Sequence, residues 1–320
     1  MLKLVVTIIA AGLPTLLYLR IIQSVDRFEK EPTRYLVAAF LWGALPAIIA
    51  GVIIELIVNV PVAVILGAKS LGGELVSTAF SGPVIEELLK ACAVGMLYLW
   101  RRREFDGWVD GLVYGATVGF GFAFVENVLY LSGTTTWGEW ATLFFLRVIV
   151  FGMMHGFWTS LTGIGFGIAR FQHSPTRKGI VILLGLGAAI FSHMLHNGAL
   201  VLASTTNGVS FLAALGNYVV LLILLLCLRV AAARNDRNIM KTYLRDETPE
   251  TLSAEAYALL CSTKSHALAA LRLSSRDERT FIQAAAELAQ KKREFIRMGD
   301  ERGNAAEIDR LRIQLAGFGK

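Results

Sequence analysis

Ser81–Trp100 reads SGPVIEELLKACAVGMLYLW, an apolar stretch that holds Glu86, Glu87 and Lys90. Its length suits a helix crossing a ~30 Å hydrocarbon core, which takes about 20 residues. Its charges do not suit lipid, where each costs roughly 2.5–3.5 kcal/mol near the centre of a spanning helix on insertion scales. Two adjacent carboxylates therefore require polar groups on other helices, a water-filled cavity or an ion. At about 100° per residue, Glu86 and Lys90 share a helical face while Glu87 turns toward an adjacent one. A Glu86–Lys90 ion pair would neutralise one carboxylate and leave Glu87 without a partner.

Up to Val230 much of the chain resembles this stretch in hydropathy, whereas Asn235–Lys320 is polar and charged. Its 320 residues are 55% hydrophobic and 18% charged, with a mean hydropathy of +0.56. That composition excludes a soluble domain of this size. Apolar runs of spanning length recur at Leu2–Leu19, Leu36–Val58, Gly82–Trp100, Trp108–Leu131, Thr142–Ala169, Gly179–Ala203 and Phe211–Val230. Lipid offers no hydrogen bonds to an open backbone, so these runs are expected to be helices. Pro61–Phe80 is apolar but broken by Gly67, Lys69, Gly72, Gly73 and Glu74. It reads as an eighth span, a re-entrant segment or an amphipathic lead-in. The expected fold is all-α: a polytopic transmembrane bundle of about seven spans, or eight, over residues 1–233. A small helical cytoplasmic region follows over 234–320.

Basic residues set the expected orientation. Arg20, Arg27, Lys30 and Arg34 share one connection, Arg101, Arg102 and Arg103 the next, and Arg170, Arg177 and Lys178 a third. Arg229, Arg234, Arg237 and Lys241 follow the last run, whereas Ser132–Trp140 and Ser204–Ser210 contain no Lys or Arg. The positive-inside rule places the N-terminus outside and the C-terminus in the cytoplasm of an integral, multi-pass protein of the cell membrane. The first run has Lys3 as its only n-region charge, is interrupted by Pro14 and shows no clear cleavage site, so it reads as a retained helix rather than a signal peptide. The net charge of +6 reports this topology and implies no nucleic-acid partner. Cys92, Cys227 and Cys261 suggest neither a disulfide framework nor a Cys-rich metal site.

The tail has helical patterning. Ser253 precedes a run to Leu260, Ser274 or Ser275 would cap a helix over Arg276–Met298 that stops at Gly299, and a third helix is expected over Asn304–Leu315. His266 reads as a surface residue, and nothing in the tail looks catalytic.

Other spans also carry residues that lipid does not favour. Glu126-Asn127 lies in a run with Gly111, Gly115 and Gly119, a spacing that lets another helix approach closely. His155 stands in the middle of a long apolar run that also holds Arg147, followed by Gly163, Gly165 and Gly167. His193 and Asn197 are four apart and share a face, with His196 beside them as a spare ligand or a packing residue. Glu55 lies close enough to the outer end of its run to reach the interface. Singly, each has an ordinary structural explanation. Together they set Glu, His and Asn on successive helices, a donor set suited to Zn²⁺.

In order, Glu86-Glu87-x-x-Lys90, Phe122-x-x-x-Glu126-Asn127, His155 with its glycines, and His193-x-x-x-Asn197 resemble the PrsW-type intramembrane proteases. These belong to the superfamily that includes the CAAX-prenyl endopeptidases. The resemblance covers about Pro32 to Arg229 and extends to Arg147 and Asp110-Gly111; the tail lies outside it. It implies peptide-bond hydrolysis by water activated in the membrane. Glu86 and Glu87 would supply the catalytic carboxylate, with Glu86 as base. Glu126, His155 and His193 would bind a metal, zinc being the candidate, or polarise the scissile carbonyl. Asn197 would complete the site as ligand or oxyanion donor. The implied partner is a single-span membrane-protein substrate in the bilayer, with an anti-sigma-like factor as one candidate; the oligomeric state is left open.

Absent motifs narrow the chemistry. The chain has no His-Glu-x-x-His, no Gly-x-Ser-x-Gly, no rhomboid serine pattern and no Gly-x-Gly-Asp. Two other classes stay open at this stage: a cation or proton transporter whose path is lined by Glu and His, and a membrane-peptide binder that does not cut.

Overall fold

The computed structural model describes residues 1–26, 31–101, 105–262, 275–300 and 303–319. Among the described residues it is helical, with no strand. Arg27, Lys30, Arg102 and Arg103 of the basic loops, Ser274 of the expected cap, and His266 lie outside these residues. The chain divides into two compact units, 1–24 with 31–226 and 25–30 with 227–320.

The first unit contains α1 (Leu2–Gln23), α2 (Thr33–Gly67), α3 (Gly82–Trp100), α4 (Trp108–Ser132), α5 (Trp137–Ala169) and α6 (Pro175–Val201), and α7 (Val209–Tyr243) begins in it. All of these except α3 are long and apolar enough to cross a membrane. The helix α3 has 19 residues, and Glu86, Glu87 and Lys90 load its first half with charge. Large side chains point outward along the helices: Ile57 and Phe191 are each 68% exposed and Leu183 is 67%. Such a surface is costly in water and neutral in lipid. The protein is an integral membrane helix bundle.

Pro61–Phe80 is not one continuous helix. Its first part continues α2 to Gly67, where a positive φ of 85° turns the chain. Ser70 then accepts a hydrogen bond from the Gly73 amide at 2.9 Å, capping a short helix Leu71–Glu74. The π-helical turn Leu75–Ser81 runs from there into α3. The second part of this segment thus leads into α3, and the first part has a consequence upstream. With α2 continuing to Gly67, Glu55 lies in the middle of a helix rather than near its end.

The core of this unit is α4, buried over most of its length. Its glycines explain how. A Cβ added at Gly111, Gly115 or Gly119 would fall 2.1–2.4 Å from the carbonyl oxygens of Gly163, Thr159 and His155. Helices α4 and α5 thus run antiparallel with their backbones touching, the packing expected from small residues at four-residue spacing. On the other side of α4, a Cβ at Gly121 would strike the Phe40 carbonyl oxygen at 2.0 Å. Helix α5 is itself broken, with a π-helical turn Phe144–Val150 ending at residues 151–153 before Met154 restarts it. His155 therefore stands in the first turn of the restarted segment, not in mid-helix.

The second unit holds the end of α7, α8 (Ala254–Leu260), α9 (Ser275–Met298) and α10 (Asn304–Ala316). Ser253 caps α8 through the Ala256 amide at 3.1 Å, and α9 stops at Gly299, whose φ is 79°. Leu244, Leu288, Leu311 and Leu315 are among the residues of its core. Glu247 is buried beside that core and receives Lys292 at 2.5 Å, Arg312 at 2.8 Å and the Thr251 hydroxyl at 2.9 Å. Burial alone raises its pKa, but the Arg312, Lys292 and Thr251 bonds outweigh this and pull it down to about 2.

Candidate active site

Lys90, on α3, is fully buried, and its Nζ lies 3.1 Å from Glu86 Oε2 and 2.9 Å from Glu87 Oε1. One ammonium serves both carboxylates because residues three and four positions back both lie within its reach. The same Nζ is 3.0 Å from His155 Nδ1 and stands 3.9 Å from the Phe122 ring centroid. Glu87 is not the orphan that spacing alone suggests. His193 Nδ1 approaches its Oε1 at 3.2 Å, and the Thr159 hydroxyl donates to its Oε2 at 3.1 Å. With Lys90 these are three donors around one carboxylate, which is how a buried charge is tolerated.

Glu126, on α4, takes two partners from α5. Arg147 Nη2 and His155 Nε2 each lie 2.8 Å from its Oε2. In an unbroken α-helix, residues eight apart would diverge by about 80°. The π-turn and the interruption at 151–153 let both reach one carboxylate. Arg147 also donates from Nε to Asn127 Oδ1 at 3.3 Å and lies 3.8 Å from the Tyr130 ring centroid. His155 is thus held at both ring nitrogens, by Glu126 and by Lys90.

On α6, His193 is stacked on Trp158, with ring centroids 3.7 Å apart and planes inclined by 13°. Trp158 Nε1 donates to Ser192 Oγ at 3.2 Å, and Ser192 donates in turn to Asn217 Oδ1 of α7 at 2.9 Å. Asn197 does not join this cluster. Its Nδ2 donates to the Thr78 carbonyl of the lead-in at 3.0 Å. His196 packs edge-on against Phe151, with centroids 4.7 Å apart.

A cavity of about 490 Å³ opens onto these residues, with Glu86, Glu126, His155, His193 and Asn197 in its wall. Among the described residues, Glu86 is the member of the acidic pair that lines it; Glu87 and Lys90 lie behind. Glu55 and Asn59 of α2 form another part of the wall.

The expected metal set of Glu126, His155 and His193 is not the group that converges. Glu86, Glu87, His155 and His193 each offer one ligand atom, all within 4.8 Å of one another. Two carboxylates and two imidazoles are a donor set that suits zinc. Glu126 lies outside that group, bonded to His155 Nε2 at 2.8 Å, where it orients the ring.

Sequence reasoning missed Thr159, Trp158, Asn217 and the inward position of Glu55. Thr159 follows His155 by four residues, and Asn217 is a polar residue inside the apolar run Phe211–Val230. Both signals were present, but neither carries a partner with it.

The model of a family described as PrsW family intramembrane metalloprotease matches residues 31–228. The chain is 29% identical over 172 residues to Protease PrsW of Bacillus subtilis (strain 168), covering 53% of this chain and 72% of that protein. To Protease PrsW of Geobacillus kaustophilus (strain HTA426) it is 29% identical over 175 residues, covering 53% and 70%. No solved structure matches at a significant level.

Proposed function

The chain belongs to the PrsW family of intramembrane metalloproteases, a family of membrane peptidases, and on that premise we propose that it hydrolyses a peptide bond of membrane proteins with water activated by Glu86. The observation that carries this reading is the cavity. It exposes Glu86 beside His155 and His193, with Glu126 in the same wall bonded to His155 and Glu87 behind, bonded to His193.

Glu86 acts as the base that takes a proton from water, with the Lys90 ammonium at 3.1 Å as its countercharge. His193, aligned by Glu87 and Trp158, and His155, aligned by Glu126, flank the place where the carbonyl oxygen gains charge. Asn197 borders the same cavity and, with one amide hydrogen on the Thr78 carbonyl, has a second to offer as an oxyanion donor. Glu87, His155 and His193 would hold, beside Glu86, a zinc ion, which when bound would supply a Lewis acid and lower the pKa of its water. The substrate class is a single-span membrane protein, an anti-sigma-like factor among the candidates. The N-terminus lies outside, and residues 234–320 form a cytoplasmic helical region.

The test is cleavage of single-span membrane proteins by the purified full-length protein in proteoliposomes. Glu86→Gln is expected to lower the rate at least about 100-fold, as loss of a general base does. Undiminished cleavage by Glu86→Gln would exclude the mechanism.

A further inference from the structure

Four carboxylates, Glu55, Glu86, Glu87 and Glu126, gather at this cavity and behind its wall. The cations among them are Lys90 and Arg147, and both are committed. Lys90 is bound to Glu86, Glu87 and His155, and Arg147 to Glu126 and Asn127. Glu55 has no hydrogen bond or ion pair among the described residues, yet it lines the cavity from the middle of α2. Its distance from Glu86 can be judged from Gly82, the first residue of α3. A Cβ there would lie 4.0 Å from Glu55 Oε1 and 4.0 Å from Glu86 Oε1. The unpaired carboxylate thus stands one small residue away from the proposed base.

The wall beside Glu55 is braced. Ser81 Oγ donates to Asn59 Oδ1 at 2.9 Å, tying the end of the lead-in to α2 one helical turn beyond Glu55. Asn197 ties the lead-in to α6 through the Thr78 carbonyl. A carboxylate held on a braced wall, within an apolar bundle and without a cation, is complementary to a cation that arrives with the ligand. Membrane proteins carry such cations where their spans meet water, as Lys and Arg.

Resting on the proteolytic reading above, we infer that Glu55 is a specificity-determining residue: it pairs with a Lys or Arg side chain of the substrate a few residues from the scissile bond. A charge-assisted hydrogen bond of this kind corresponds to roughly a 10- to 100-fold preference.

The experiment uses the full-length protein in proteoliposomes and single-span substrates in which one Lys, Gln or Glu is placed in turn at each position around the cleavage site. The wild type is expected to favour Lys over Gln at one position by about tenfold or more in kcat/KM. Glu55→Gln removes that preference while the Gln substrates are cut as before. Glu55→Lys shifts the preference to Glu at the same position, a gain that misfolding cannot produce. Equal losses on all substrates, or a wild type indifferent to charge, would overturn the assignment. So would zinc binding that is lost in Glu55→Gln and kept in Glu55→Asp. Failure of the proteolytic reading looks different, since no substrate of any charge is then cut by the wild type, and the subsite falls with it.

Discussion

Glu86 and Glu87 are adjacent in the sequence and differ in their whole surroundings in the fold. Glu86 faces the cavity with Lys90 behind it, whereas Glu87 is enclosed by Lys90, His193 and Thr159. Neutralising them is expected to have different consequences. Glu86→Gln lowers cleavage at least about 100-fold and, with Lys90 still held by Glu87, lowers the thermal midpoint less than Glu87→Gln does. Glu87→Gln leaves Lys90 and His193 buried beside a neutral amide and destabilises the protein by roughly 3–5 kcal/mol, the range for breaking a buried ion pair. Differential scanning of the two variants in one detergent separates them; equal midpoints would contradict the division of roles. Glu126, outside the converging ligand set, is expected to act through the alignment of His155.

At the scale of elements, function depends on how closely α4 and α5 approach. The Gly119–His155 contact sets the backbone of the histidine that lines the cavity. Gly119→Ala would place a methyl 2.2 Å from the His155 carbonyl oxygen, and Gly163→Ala one 1.8 Å from that of Gly111. Each is expected to cost about 1–3 kcal/mol or more by overpacking and to lower activity as His155 moves. Gly187→Ala on α6 meets nothing within 4 Å and serves as the control, with unchanged midpoint and activity. A tolerated Gly119→Ala would mean that the backbone contact does not position the site. This packing was legible in the glycine spacing. The break in α5 was not, since residues 144–153 read as an ordinary apolar run and π-turns have no comparable sequence signature.

At the scale of the whole molecule, ligand binding and pH probe the two units separately. A zinc ion held by Glu87, His155 and His193 would stabilise the fold by mass action. Added zinc is expected to raise the thermal midpoint of the wild type and not of His193→Ala; equal shifts would place the ion elsewhere. In the second unit, Glu247 has a pKa lowered from 4.5 to about 2. Its stabilising contribution is complete above its ordinary pKa and is lost as pH falls from about 4.5 towards 2. Amide hydrogen exchange in α9, corrected for intrinsic rates, should accelerate over that interval in the wild type and vary less in Glu247→Gln. The sequence alone determined that the chain is an all-helical membrane protein with polar groups on four successive helices, because lipid penalises both open backbone and unpaired charge. It also determined the motif order that resembles the PrsW family. Only the tertiary structure decided which carboxylate faces the cavity, which donor atoms converge, and that Glu55 stands close to Glu86. Those facts depend on helix length, helix breaks and interhelical distance, which are products of packing between segments far apart in the chain.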